Sequence, residues 1–135
     1  MPYRILLTVA LIAVALAGCS RDESSEPALP GAELGIEVLG IQLLAGGDLA
    51  RLDFRVVDYD RAKETFRGEI GVLSADGTHT LTVLNTGRLG PMRQRPSRSG
   101  KKQFVLFTNA GRALAPGSTA VIVLGDARIP AIPVS

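Results

Sequence analysis

Short stretches in which apolar and polar residues alternate dominate this sequence from residue 34 onward. The clearest is residues 51–56, where Leu52, Phe54 and Val56 share one face and charged residues occupy the other. Successive side chains of a β-strand point to opposite faces, so this pattern predicts a half-buried strand. No window of helical length keeps an apolar stripe at the i, i+3, i+4 spacing. The body of the chain is therefore predicted to be all-β.

Turn signals separate the predicted strands. Gly46-Gly47, Asp76-Gly77 and Pro116-Gly117 each interrupt an apolar stretch, and Asp-Gly is a strong hairpin signal. The alternation changes phase at Leu39-Gly40, which predicts a β-bulge. About seven strands with turns every 8–12 residues predict a single two-sheet immunoglobulin-like sandwich, with a small closed barrel as the competing architecture.

Three other segments carry specific expectations. The charged connection 58–64 allows one helical turn with Asp60 as its cap. Two apolar runs, 104–108 and 119–124, are typical of strands at the centre of a sandwich. Residues 127–134 contain two prolines, which confine that segment to a sheet edge.

The N-terminal region has the arrangement of an export signal. A positively charged start precedes an uncharged apolar run, residues 5–17. The run is shorter than the roughly 20 residues that a membrane-spanning helix needs, and its length fits a signal peptide. Leu16-Ala17-Gly18-Cys19 resembles the lipobox of bacterial lipoproteins. The resemblance implies cleavage before Cys19 and acylation of that residue. An uncleaved anchor, or an ordinary signal peptide with an incidental cysteine, is the alternative.

These features divide the chain into a lipoprotein signal peptide at 1–18, an acylated Cys19 with a flexible tether at 19–33, and a β-sandwich domain at 34–135. The tether is polar and contains prolines, which favours an extended, flexible segment. The lipid makes the membrane a partner and predicts a location in the cell envelope. In proteobacteria-like lipoprotein sorting, Ser20 after the cysteine implies the outer membrane, facing the periplasm.

The body also resembles an uncharacterised family of short exported bacterial proteins. The matching stretches are Gly40–Leu43 with Gly46-Gly47, Leu52–Val56 with Asp58, Gly90–Gln94, Phe104–Arg112, Pro116-Gly117 and Val123–Asp126. Met92 and Ala110 stand where leucine and proline are expected. These are strand and turn motifs, so the resemblance implies export and the fold but no reaction.

Positive charge is concentrated in residues 88–102, here called the basic segment. The formal net charge of the chain is only +2, yet this segment contains no acidic residue. Its six cations are Arg88, Arg93, Arg95, Arg98, Lys101 and Lys102. Prolines, serines and glycines in the same stretch predict a long, exposed and mobile loop. Such a loop attracts phosphate or carboxylate groups, so the six residues are a candidate anion- or partner-binding site. A solvated loop without a binding role is the alternative.

Patterns that indicate chemistry are weak. One Cys and one His exclude an internal disulfide and argue against a histidine-built zinc site. His79 follows a turn and is expected to be an exposed hairpin residue, while Asp126 suits a turn. Asp58, Asp60 and Glu64 lack the other oxygens of the 6–8 that Ca²⁺ needs. We expect neither a metal nor a cofactor.

The sequence therefore favours a non-enzymatic binding or accessory module for an envelope protein or an anionic envelope polymer. No nucleic-acid partner is expected, because the basic segment lacks an aromatic side chain to stack on a base. A small hydrolase or transferase acting on cell-wall or lipid material is the alternative from another class. A structural subunit of an envelope complex is the third possibility.

Overall fold

Residues 29–135 are described by a computed structural model, and strands account for most of its regular structure. Within this range the strands are β1 (Ile36–Leu44), β2 (Leu49–Val56), β3 (Ile70–Ser74), β4 (Thr80–Thr82), β5 (Asn85–Thr86), β6 (Gly90–Pro91), β7 (Gln103–Thr108), β8 (Thr119–Leu124) and β9 (Ala127–Pro133). A single described α-helix, α1 (Tyr59–Thr65), lies between β2 and β3. Short 3-10 helices are Ala32–Leu34, Ala45–Gly47 and Ala110–Arg112.

The strands form two antiparallel sheets. One has three strands in the order β1-β2-β7, the other has four in the order β4-β3-β8-β9, and β5 pairs with β6 as a separate hairpin. The predicted all-β sandwich is therefore confirmed. A β-bridge joins the two sheets at each of two edges: Val134 bridges Ile41 of β1 in parallel, and Val83 bridges Phe107 of β7.

The core lies between the two sheets and follows the predicted alternation. Leu52 and Phe54 of β2 are fully buried and Val56 nearly so, while the charged residues between them face outward. Phe54 also stacks on Phe66, which follows α1, with ring centroids 5.0 Å apart. Helix α1 is thereby attached to the core just beyond the end of β2.

Several local predictions are confirmed. The pairing of β1 with β2 shifts register between Val38 and Gly40, so the bulge is present. Gly40 has φ +143°, a conformation that glycine adopts without strain. The bulge returns Ile41 to the core, where it is 2 % exposed. Asp76-Gly77 lies in the turn between β3 and β4, and the proline-containing β9 is an edge strand.

Two predictions need correction. The cap of α1 is Asp58, not Asp60: Asp58 has the extended backbone of an N-cap, and its Oδ1 accepts a hydrogen bond from the N–H of Arg61 at 3.3 Å. Asp60 lies inside the first helical turn. Residues 119–124 belong to β8, which is a central strand as predicted. Residues 104–108 belong to β7, which is an outer strand of its sheet because β2 lies in the middle.

The folded region extends to the N-terminal side of residue 34. The carbonyl oxygen of Pro30 accepts a hydrogen bond of 2.9 Å from the N–H of Val38, and Gly31 is buried. Residues 30–33, assigned to the tether from the sequence, therefore belong to the domain. The signal peptide, Cys19 and residues 20–28 lie outside the described residues.

Candidate functional site

The first part of the basic segment is bonded to β7 rather than extended into solvent. The N–H of Leu106 donates to the carbonyl of Met92 at 2.9 Å, and the N–H of Gln94 donates to the carbonyl of Phe104 at 3.2 Å. Arg93 bridges Val105 of the same strand. The expectation of a long, exposed and mobile loop is wrong here, because the outer edge of β7 offers backbone groups that need partners.

Side chains of two glutamines hold the next residues in place. Gln103 is 7 % exposed; its Nε2 donates to the carbonyl of Arg95 at 2.6 Å, and its Oε1 accepts from the N–H of Ser97 at 3.0 Å. Gln94 Oε1 accepts from the N–H of Phe104 at 2.9 Å. The backbone that carries Arg95 is therefore fixed against the start of β7.

Residues 91–96 of the basic segment, held against β7 in this way, form one wall of an open cleft of about 640 Å³. Helix α1 and the residues just after it form the opposite wall. The residues that line the cleft are Tyr59, Lys63, Phe66, Arg67, Pro91, Arg93, Arg95 and Pro96. Four of these are cations, and no carboxylate is among them.

The helical wall follows from the spacing of its residues. Tyr59, Lys63 and Phe66 are separated by four and three positions, which places them on one side of a helix. Arg67 extends this side just beyond the helix and forms an ion pair with Glu64, Nη1 to Oε1 3.2 Å, with both side chains about two thirds exposed. An exposed pair of this kind is weak, so Arg67 can exchange it for another anion.

Arg93 is the most constrained of the cations. Its Nη2 donates a hydrogen bond of 2.8 Å to the carbonyl oxygen of Phe66, the C-cap residue that follows α1. Desolvation, and to a smaller extent the nearby charge of Arg95, lower the pKa of Arg93. An arginine remains charged at neutral pH even so. A bound anion would compensate the repulsion between Arg93 and Arg95.

The six cations predicted from the sequence do not form one cluster. Arg93 and Arg95 line the cleft, and the guanidinium carbon of Arg98 lies 3.9 Å from the ring centroid of Tyr59 at its margin. The remaining three, Arg88, Lys101 and Lys102, are exposed and are not lining residues.

Sequence reasoning missed Tyr59, Lys63 and Arg67 as site residues. They lie more than 20 positions from Arg93 in the chain, and their approach depends on the tertiary fold. The i, i+4 spacing of Tyr59 and Lys63 was the available signal, because it places an aromatic and a cation on one side of the predicted helical turn, whereas Arg67 lies beyond that turn.

The other candidates are turn and cap residues. His79 is exposed, and its Nδ1 lies 2.9 Å from Thr78 Oγ1 beside the β3–β4 turn. Asp126 is exposed in the β8–β9 turn. Among residues 29–135, no group of three or more His, Cys, Asp or Glu side chains is arranged to hold a metal ion.

A second cleft of about 500 Å³ lies at the opposite end of β7 and is lined mainly by apolar and glycine residues, among them Leu43, Leu44 and Leu114. Arg112 at its rim is paired with Asp48, Nε to Oδ1 3.3 Å. In the same described part of the chain, no helix combines the length and apolar character that crossing a bilayer requires.

Comparisons with protein-family models, with curated proteins and with solved structures gave no match. The resemblances drawn from the sequence therefore stay predictions.

Proposed function

We propose that this chain is a lipid-anchored envelope protein whose β-sandwich is a non-enzymatic binding module for an anionic envelope polymer or the acidic surface of an envelope protein. One observation carries the binding part of the proposal. Lys63 and Arg67 on one wall of the cleft meet Arg93 and Arg95 on the other, with no carboxylate among the lining residues.

The arrangement suits phosphate or carboxylate groups. Guanidinium groups bind such oxyanions through paired, charge-assisted hydrogen bonds. Each cation near an anionic surface contributes on the order of 1 kcal/mol, so four cations around one cleft give useful adhesion that weakens as the salt concentration rises. Because Arg93 is held by the Phe66 carbonyl, part of the site is ordered before the ligand arrives, which lowers the entropic cost of binding.

The lining residues favour binding over catalysis. They include no Asp, Glu, His, Ser or Cys side chain, the groups that most often serve as nucleophile or general base. The cleft is also open to solvent, whereas hydrolysis or group transfer usually proceeds where water is excluded. A binding module needs neither feature.

The proposed anchor rests on the resemblance of Leu16–Cys19 to a lipobox. Two or three acyl chains on Cys19 would hold the domain stably at a membrane, where a single chain would be marginal. Periplasm-facing attachment to the outer membrane is part of this proposal. Mass spectrometry of the protein from its own cells tests it: a diacylated residue 19 at the new N-terminus is expected. An unmodified residue 19, or the same labelling by a palmitate analogue after Cys19→Ser, would contradict the anchor.

The binding proposal is tested with the full-length protein in non-ionic detergent. We would measure its affinity for polyphosphate and its sedimentation with purified cell-wall sacculi, at low and high salt. The double variant Arg93→Gln/Arg95→Gln should bind the preferred polyanion about 30-fold more weakly, because two cations at about 1 kcal/mol each contribute about 2 kcal/mol.

The matched control is Arg128→Gln, which removes an exposed cation on β9, outside the cleft. It should leave binding nearly unchanged. Equal binding by the double variant and the wild type, or binding that ignores salt, would overturn the proposal.

A further inference from the structure

The β5–β6 hairpin presents an exposed leucine at its tip. The three residues Gly87-Arg88-Leu89 connect the paired residues Thr86 and Gly90. Leu89 is 78 % exposed, more than the other large exposed apolar residues of the described chain, Leu29 at 41 % and Val57 at 52 %. A single exposed leucine is ordinary on a protein surface, so its surroundings decide whether it has a role.

The turn that carries Leu89 is fixed by hydrogen bonds. Thr86 Oγ1 accepts from the N–H of Leu89 at 3.2 Å and donates to the carbonyl of Gly90 at 3.3 Å. At the base of the hairpin, the N–H of Met92 donates to the carbonyl of Leu84 at 2.7 Å. The ordered turn therefore holds Leu89 outward, and burying its side chain in the core would require these hydrogen bonds to break.

The hairpin also forms part of the cationic cleft. Pro91, two residues after Leu89, lines the cleft together with Arg93 and Arg95. Two residues span at most about 7 Å, so the Cα of Leu89 lies within roughly 7 Å of the Cα of Pro91 in that wall. Arg88 stands beside Leu89 at the tip and is exposed. An apolar side chain is thus flanked by cations on both sides in the chain.

The order of these groups matches an anionic bilayer surface. Phosphate groups lie outermost there and acyl chains just below them, so cations and an apolar side chain can be satisfied together. A soluble polyanion or an acidic protein surface would satisfy the arginines but give Leu89 nothing to bury against.

We propose that this edge is a membrane-contact surface, in which Leu89 inserts among the acyl chains of an anionic bilayer while Arg88, Arg93 and Arg95 bind lipid phosphate groups. The inference rests on the cationic cleft of the proposed function and assigns that cleft a further ligand, the headgroups of anionic phospholipids. The domain then lies against the membrane in a defined orientation, with the β5–β6 hairpin facing the lipid.

The test uses the absence of tryptophan from the chain. Leu89→Trp introduces one reporter at the hairpin tip, and Ala110→Trp introduces a matched reporter at an exposed position beyond the opposite end of β7. Each full-length variant is reconstituted through its N-terminal region into vesicles of phosphatidylcholine, with or without phosphatidylglycerol. Tryptophan emission and quenching by brominated lipids are then measured.

In vesicles with phosphatidylglycerol, the tryptophan at position 89 should emit at shorter wavelength and be quenched several-fold more than the one at position 110. Adding Arg93→Gln and Arg95→Gln to Leu89→Trp should remove the shift. Water-like emission from position 89, quenching equal to that at position 110, or an equal shift in pure phosphatidylcholine would overturn the membrane contact. Retained polyphosphate binding in detergent would then show that the anion site stands while the membrane proposal fails.

Discussion

The guanidinium group of Arg93 donates a hydrogen bond of 2.8 Å to the carbonyl oxygen of Phe66, 27 residues earlier in the chain. The carbonyls at the end of a helix carry partial negative charge and lack partners within the helix. A fixed cation satisfies one of them here. The same contact ties the two walls of the cationic cleft together, so it links the stability of α1 to the shape of the site.

Arg93 and Arg95 should therefore differ in their effect on stability. Arg93→Gln loses a charge-assisted bond to a partly buried carbonyl and should lower the free energy of unfolding by about 1 kcal/mol. Arg95→Gln removes an exposed cation and should change it by less than about 0.5 kcal/mol. Urea denaturation measures both values, and each variant should weaken polyphosphate binding. Equal stability of the two would contradict the proposed coupling between α1 and the cleft.

Gly35 should tolerate no side chain. It has φ +89°, and a Cβ there would lie 2.6 Å from both the backbone nitrogen of Ala62 and the carbonyl oxygen of Asp58. We expect Gly35→Ala to cost about 3 kcal/mol or more, because backbone strain and displacement of α1 add together. Gly77 is the matched control: its φ is +76° but a Cβ there meets open space. Gly77→Ala should cost only about 1 kcal/mol. Thermal or urea unfolding measures the loss of stability in each variant. Similar losses in the two variants would show that the positive φ accounts for them without the contact between residue 35 and α1.

Asn109 should be a strong determinant of stability despite being polar. It is 1 % exposed; its Nδ2 donates to the carbonyls of Gly47 and Leu114 at 2.8 and 3.1 Å, and its Oδ1 accepts from the N–H of Leu114 at 3.0 Å. Asn109→Leu leaves these buried groups without partners and should cost about 3 kcal/mol. Asn85→Leu, at an exposed position, serves as the control and should be nearly neutral. A loss below about 1 kcal/mol for Asn109→Leu would contradict this account.

Asp76 should give the β3–β4 turn a measurable acid sensitivity. Hydrogen bonds from the Ser74 hydroxyl, then from the N–H and hydroxyl of Thr78, lower its pKa from 3.8 to about 2. Because the folded-state pKa lies below the unfolded one, the stabilisation is present above pH 3.8 and is lost as the pH falls toward 2.

The measurement is the melting temperature of the wild type minus that of Asp76→Asn, from pH 5 down to pH 2. This difference should be positive at pH 5 and should shrink as Asp76 becomes protonated. Ser74→Ala removes the largest cause of the shift, so the same difference taken against that background should change less with pH. A difference that stays constant over the range would refute the role assigned to these hydrogen bonds.

The parts of the fold that the sequence predicted are those set by local side-chain patterns. The alternation of Leu52, Phe54 and Val56 gave the buried face of β2, the phase change at Gly40 gave the bulge, and Asp76-Gly77 gave a hairpin. In each case one face of a strand or one turn conformation decides the outcome, and both are local properties.

The candidate site was less predictable because backbone contacts and distant residues create it. The basic segment bonds to β7 through main-chain groups of Met92 and Gln94. Main-chain hydrogen bonds of this kind do not require a particular side-chain pattern, so a polar, proline-containing sequence does not predict them. Lys63 and Arg67 join the cleft only because Phe66 packs on Phe54 and brings α1 to this edge. Two of the six predicted cations, Arg93 and Arg95, line the resulting site.

The pairing of residues 134 and 135 with β1 has a consequence for how the domain is assembled. The N–H of Ser135 donates to the carbonyl of Ile41, and the N–H of Leu43 donates to the carbonyl of Ser135, both at 2.9 Å. In a chain that is synthesised from its N-terminus, this margin of β1 stays without these partners until residues 134 and 135 have been made. Truncation before residue 134 would leave bare main-chain groups there, ready to pair with another molecule.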